Sequence, residues 1–422
     1  MLPLTVSLSI LAVLCGPAQA GSEGLVPLKA LRAAGMQRFW TADLPLPPGE
    51  GAEAAYLVGE HLYVVSEFGS VVAFHAPTGL PLWARNLNRG RYRILSPGHL
   101  AVADGLGPVV FVSARDVFVL DRLTGQPLAV FALPFAYGSP AVGDEEMLYL
   151  GSADGHFYAL RWDTAVGGGP AIRIWRVRAG GPVRSRPAFD GQSLFFASGG
   201  GTVFSCRAYD KMRRWSRSTR GAILADPILH ESGVYVASAD RSVYRLDPDS
   251  GQVIWQRRLP TPLEENPVIA GRTLYQDCGD AGLYALDIDS GQVIWHHAEA
   301  GRLVVRKADQ AVVLSGDGQW LLVLDNGTGQ VRASLPIHDA KIVVSNPHDD
   351  AIYMVSNRNR VVCIRPAEVP YLTLEAIAQA RARLMAHRDN PLPEPPADDR
   401  ASNDRTGDVL RSDSDIDPLV GN

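Results

Sequence analysis

Apolar and polar residues alternate in short runs along most of the chain, and the runs recur in sets of four. In residues 266–299, Asn266-Pro267-Val268-Ile269 opens a set. Thr273-Leu274-Tyr275-Gln276 and Leu283-Tyr284-Ala285-Leu286-Asp287 alternate, Asp289-Ser290-Gly291 is a turn, and Val293-Ile294-Trp295 completes the set. Short alternating runs punctuated by Gly and Asp are strands and hairpins. The phrase LYALDIDSGQVIW ending at Trp295 repeats as VYRLDPDSGQVIW ending at Trp255, and diluted copies end at Trp83, Ala129, Trp175, Trp215 and Ala333. A period of about forty residues marks units that bury their faces only against neighbours. Four strands per unit, repeated radially, predict an all-β fold: a β-propeller with four-stranded antiparallel blades.

The fourth-strand anchors are Trp40, Trp83, Ala129, Trp175, Trp215, Trp255, Trp295 and Ala333, spaced 38 to 46 residues apart. Met36 to Trp40 has no three-strand unit before it, and the last unit, through Arg360-Val361-Val362-Cys363-Ile364, has no fourth strand after it. The N-terminal strand therefore completes the last of eight blades and leaves no open edge between the ends. At each Trp a flat ring buries apolar area against the next blade while its N–H finds a backbone carbonyl. The glycine four residues before it is expected to supply the turn that aims it. Ala129 and Ala333 lack the ring, which predicts weaker packing between blades there.

The formal charge of −5 is uneven: nine acidic and three basic residues fall in 389–422. The rest is close to balanced, which gives no reason to expect a nucleic-acid partner. Residues 1–20 read as an export signal, with an apolar run from Leu4 to Leu14 and a small-x-small site at Ala18-Gln19-Ala20. That places the protein in the periplasm or outside the cell, most naturally in a bacterial envelope. The n-region lacks Lys and Arg, so a misassigned start stays open; so does a lipid anchor on Cys15, although Leu14 is large for that signal. No later apolar segment is long enough for a transmembrane span. Removing Cys15 leaves Cys206, Cys278 and Cys363 in blades four, six and eight, too far apart for a disulfide. They are expected to be buried and unpaired.

Residues 21–35 predict a short helix or arm around Leu28 and Leu31, 36–371 the propeller, and 372–388 a C-terminal helix with Leu374, Ile377, Leu384 and Met385 at helical spacing. Docking on the disc is the expectation for that helix. Residues 389–422, rich in Pro, Asp, Ser and Arg, predict an acidic disordered tail. Asp413-Ser414-Asp415-Ile416-Asp417 faintly resembles a calcium loop but lacks the sixth-position Gly.

Ala285-Leu286-Asp287-x-x-x-Gly291-x-x-x-Trp295 resembles the tryptophan-docking repeat of the quinoprotein alcohol dehydrogenase-like family, over about residues 36–366. The family includes enzymes that bind pyrroloquinoline quinone and non-enzymatic members similar to the outer-membrane assembly lipoprotein BamB. The resemblance implies the propeller. In the alcohol dehydrogenases it also implies an adjacent Cys-Cys pair, an Asp base, and a calcium site of Glu, Asn and Asp. No string here matches those motifs, so no catalytic residue, metal ligand or cofactor is assigned, and neither the quinone nor calcium is expected.

The innermost strands begin near Pro140, Pro187, Pro227, Pro267 and Pro347, and the residues before them should face the central opening. They give a mixed-sign ring of Arg184, Arg186, Asp226, Glu264, Glu265, Asn266, Arg306, Lys307 and Asn346. The ring is either a polar ligand site or a solvated wall of weak ion pairs. Together these features favour an exported, non-catalytic scaffold that binds a protein or an envelope component. The alternatives are a quinone-dependent dehydrogenase or ligand sensor, and a BamB-like assembly factor.

Overall fold

The computed structural model describes residues 24–388 apart from 88–91, 104–106, 134, 136, 137 and 308. Residues 1–20, read above as an export signal, the calcium-loop string 413–417 and the acidic segment 389–422 lie outside the described residues. Among the described residues the strands form eight four-stranded antiparallel sheets. Blades 1 to 7 run 52–86, 98–132, 142–178, 188–218, 228–258, 268–297 and 300–336. Blade 8 combines Ala340–Val343, Ile352–Ser356 and Arg360–Pro366 with the N-terminal strand Met36–Asp43, which pairs antiparallel with Arg360–Pro366 as its outer strand. The middle strands are almost wholly buried, as in His61–Ser66 and Ile352–Ser356, so the core lies between blades rather than in one centre.

The turn between third and fourth strands explains the repeated phrase. Asp247 accepts from the backbone N–H and the hydroxyl of Ser250 at 2.8 and 2.7 Å. Asp287 does the same with Ser290, Asp325 with Thr328 and Asp121 with Thr124. Such an Asx turn fixes the bend locally, and the glycine that follows closes it with a positive φ, +66° at Gly291.

Besides turning the chain into its own fourth strand, that glycine serves the tryptophan of the preceding blade. A β-carbon on Gly291 would meet the ring of Trp255, in the preceding blade, at 2.6 Å. Gly79, Gly125, Gly251 and Gly329 stand in the same way under Trp40, Trp83, Trp215 and Trp295. Each indole N–H then donates across the seam to a carbonyl three residues before the turn's closing residue. The acceptors of Trp40, Trp83, Trp175, Trp215, Trp255 and Trp295 are Ala76, Arg122, Ala208, Pro248, Ile288 and Asn326, at 2.9–3.1 Å. The turn is therefore also the socket for its neighbour's ring, a role the sequence reading did not assign to it.

The two alanine seams are not left thin. Ala129 bridges to Val166 in an insertion of blade 3, and Trp162 and Ala165 from that segment join Ala129 in one buried cluster. At Ala333 the N-terminal arm fills the gap. Helix α1 (Leu28–Ala33) contacts both Val331–Pro336 and Met36–Asp43. Leu25, Val26 and Leu31 are buried beside Ala333, and the Leu25 carbonyl accepts from His338 N–H at 2.8 Å.

Cys206, Cys278 and Cys363 are buried free thiols. Burial pushes the first two up to about 12 and Cys363 upward too. Helix α2 (Leu374–Arg388) starts after Thr373, whose hydroxyl accepts from Ala376 N–H. It lacks the docked face expected of it: its described residues include none that is buried, and Leu374 is 84% exposed. The short segment before it does pack, through Val369, Leu372 and a Phe39–Tyr371 stack. No helix of the described residues is long and apolar enough to cross a membrane.

Candidate functional site

The residues just before the inner-strand prolines form the axial site. Arg186, Asp226 and Asn266 stand at matching positions in blades 4, 5 and 6 and bond in sequence. Arg186 N–H donates to Asp226 Oδ1 at 2.7 Å, Asp226 N–H to Asn266 Oδ1 at 2.8 Å, and Asn266 Nδ2 back to Asp226 Oδ2 at 3.0 Å. The Arg186 side chain then passes blade 3 and reaches blade 2. Its Nη2 donates to Ser96 Oγ at 2.7 Å and to the carbonyls of Ser96 and Pro97 at 2.8 and 2.9 Å. A β-carbon on Gly98 would lie 2.8 Å from Arg186 Nη1, so only glycine leaves room for this strut.

Burial lowers the Arg186 pKa and raises that of Asp226, the latter opposed by the Arg186 N–H and its charge. The group is a tied polar lattice, with its best donor spent on backbone carbonyls; such bonds lock geometry rather than await a ligand.

The other sequence candidates divide. Arg184, Glu264 and Glu265 are exposed on the same face, and the Glu265 carbonyl accepts from Gln276. Asn346 is not on the ring: the inner strand of blade 8 is Ala340–Val343, ahead of Pro347 rather than after it, so Asn346 lies in the connection beyond that strand, fully buried and donating to Asp349 and to the Ala351 carbonyl. Arg306 and Lys307 are not on the ring. Val305 pairs with Val312 as Val268 pairs with Tyr275, so they sit at the far end of the inner strand. With the Asn326 amide oriented to donate to Tyr275, Arg306 donates to its oxygen at 2.9 and 3.1 Å, and Lys307 pairs with Glu368. The inner strand of blade 7 starts at Ala300, directly after His297–Glu299, so a fixed forty-residue step overshoots. Arg302 holds the axial level instead, donating to the Val343 carbonyl at 2.6 Å.

Sequence reasoning missed a second cluster, at the seam of blades 1 and 2. His61 and His99 meet edge to face, with ring centroids 5.2 Å apart. His99 bonds Tyr63 Oη at 2.9 Å and Arg122 Nη1 at 2.8 Å, whereas both His61 ring nitrogens are buried without a partner. Burial, then Arg122, holds His61 down to about 3 and His99 to about 2. Both are neutral near pH 7, and Arg122 disfavours a cation beside them. Among the described residues no group of three or more His, Cys, Asp or Glu could hold a metal ion.

The family described as outer membrane protein assembly factor BamB matches residues 23–166 and 172–369. The curated BamB of Alkalilimnicola ehrlichii is 31% identical over 140 residues, covering 31% of this chain and 33% of that protein. That alignment thus spans about a third of the relative's length. The crystal structure of BamB from Moraxella catarrhalis superposes with a TM-score of 0.62 at 14% identity, covering 80% of this chain and 99% of that one. The computationally designed Ika8 protein gives 0.59 at 16% identity, covering 76% and 98%. These two likenesses concern the fold. The closed ring and the match across nearly all of it agree: the chain belongs to the family of the outer membrane protein assembly factor BamB.

Proposed function

We propose that this protein is an exported, non-catalytic propeller that acts in the cell envelope as a scaffold in outer-membrane protein assembly. The observation that supports the reading is the axial strut: the Arg186 guanidinium, which a polar ligand at the axis would need, is spent on Ser96 and Pro97 in the link between blades 4 and 2. The loops around the axis, including exposed Arg184, Leu224, Glu264 and Glu265, then become the available surface. A rigid ring offers such loops at little ordering cost on binding. Envelope delivery rests on reading residues 1–20 as an export signal, and the partner proposed is a protein of the assembly machinery rather than a small molecule.

The test is deletion of the gene with quantitation of outer-membrane β-barrel proteins, paired with co-purification from envelope extracts. The expected result is lowered barrel levels and recovery of assembly components with the tagged protein. Unchanged barrel levels together with empty co-purification would remove the proposal. Titration with pyrroloquinoline quinone and calcium, followed by Trp fluorescence, addresses the enzymatic alternative; saturation with alcohol turnover would replace the scaffold reading.

A further inference from the structure

The outer strands are the exposed edges of the propeller, and their charge is unevenly shared. Ile172–Arg178 carries Arg173, Arg176 and Arg178; Arg213–Ser218 carries Arg213, Arg214 and Arg217; Val253–Arg258 carries Arg257 and Arg258. These three adjacent strands of blades 3, 4 and 5 contain eight arginines and no carboxylate. The outer strands of the other five blades carry three arginines, Arg38, Arg85 and Arg332, with Asp43 as an acid among them. Charge on an edge strand commonly guards against edge-to-edge pairing, but all eight edges need that guard and only three have this density. Some heads are engaged. Arg214 reaches Ser193 Oγ at 2.8 Å and Asp249 at 3.6 Å, while Arg217 and Arg257 donate to the Gly251 and Gly291 carbonyls. Arg173, Arg176, Arg178 and Arg258 are exposed, beside exposed Ile172, Ile174, Val253 and Ile254.

We infer that this arginine band is covered by the chain's own residues 389–422. That segment carries nine acidic and three basic residues, opposite in sign to the band. Its 34 residues follow α2 directly. Fully extended they span about 110 Å, while a compact domain of this size has a radius of gyration of about 20 Å. The segment can therefore pass from blade 8 to any point on the rim. Tethering gives it an effective concentration near the millimolar range, so ion pairs that are individually weak suffice. The open backbone edge and the apolar residues between the arginines suit an extended acidic segment. The band is distinct from the loop surface of the proposed function, so either can fail alone.

The test uses the full chain with Cys15→Ser and two added thiols for spin labels; the three native thiols are buried and raised in pKa. One label sits at Ser414→Cys in the tail. The other sits at exposed Ser216→Cys in the band, or at exposed Ser334→Cys on the blade 7 edge as control. Pulsed electron resonance at low salt should show a short-distance population for the 216 pair and none for the 334 pair. That population should vanish at 0.5 M salt, where the screening length falls to about 4 Å, and in Arg173→Gln/Arg176→Gln/Arg178→Gln. Equal distributions for both pairs overturn the inference. So does a short population that survives salt and the triple substitution. One that dilutes away when labelled protein is mixed with unlabelled shows a second copy as the occupant, which also overturns it.

Discussion

The seam between blades 6 and 7 and the seam between blades 7 and 8 solve one problem differently. At the first, the Trp295 ring lies over Gly329 and donates to Asn326. At the second, Ala333 stands where the ring would be and the N-terminal arm packs beside it. The difference lies in the receiving blade. The outer strand of blade 8 comes from the chain's other end, so no turn joins it to Arg360–Pro366 and there is no socket for a ring. Blade 3 has the same defect, because 162–171 replaces its turn, and blade 2 accordingly ends in Ala129 rather than Trp. Ring and socket are thus one unit split across two blades, and where the socket is missing another segment supplies the apolar volume.

The largest effect should come from emptying a socket. Trp295→Ala removes a buried ring that also touches Tyr275, at a centroid distance of 5.8 Å, and should cost about 3–5 kcal/mol in denaturant unfolding. Trp320→Ala is the control, because Trp320 is 41% exposed. A loss for Trp295 no larger than the control's would dissolve the comparison. The arm side should give somewhat less. Leu31 is 1% exposed, and Leu31→Ala should cost about 2–3 kcal/mol. Amide exchange should rise in Val331–Pro336 and Met36–Asp43 first. A rise of equal size in blade 4 would show that the arm is no local filler.

Much of this was open to reading in the chain. The eight anchors and the unpaired Met36 to Trp40 strand gave blade number and closure, because repeat spacing needs no side-chain geometry. The link between ring and socket was there too: each Ala anchor precedes a unit without the Ser/Thr-Gly turn. It was missed because glycine four residues before tryptophan looks like a local motif, and only the fold shows the partner to be forty residues back. The axial site was half legible. Pre-proline positions found Arg186, Asp226 and Asn266, whereas Arg306 failed because spacing cannot register a shortened connection. That Arg186 would run to Ser96, ninety residues away, has no signal in either segment.

A seam with a proper socket need not be uniformly comfortable. Trp83 sits over Gly125, yet the same interface buries His61 with both ring nitrogens unpaired. Its folded pKa of about 3 lies below an unfolded value of about 6.5. The unfolded chain therefore binds the extra proton between those values, and stability falls as pH falls through that window. The titratable and charged groups facing His61 are Arg122, His75, His99 and the stacked Tyr63, none of which offsets a proton on it. Between pH 7 and pH 5 His61 alone should cost about 2 kcal/mol. His61→Phe, which keeps a ring against Tyr63, should recover that amount at pH 5. An unchanged pH slope in the variant would place the acid sensitivity elsewhere.

The smallest effect concerns the one socket built without glycine. Trp175 donates to the Ala208 carbonyl at 3.0 Å, and the residue three positions on is Lys211, held at a φ of +55°. Every other ring-receiving turn has glycine there, and a lysine β-carbon strains the left-handed backbone that glycine adopts freely. Lys211→Gly should therefore stabilise the ring, by about 0.5–1 kcal/mol after the added freedom of the unfolded chain is counted. Lys211→Ala, which keeps the β-carbon and removes the charge, separates backbone strain from electrostatics and should gain nothing. If the two variants unfold alike, the gain comes from losing the cation near the arginine band, and the φ at this position carries no penalty that the fold notices.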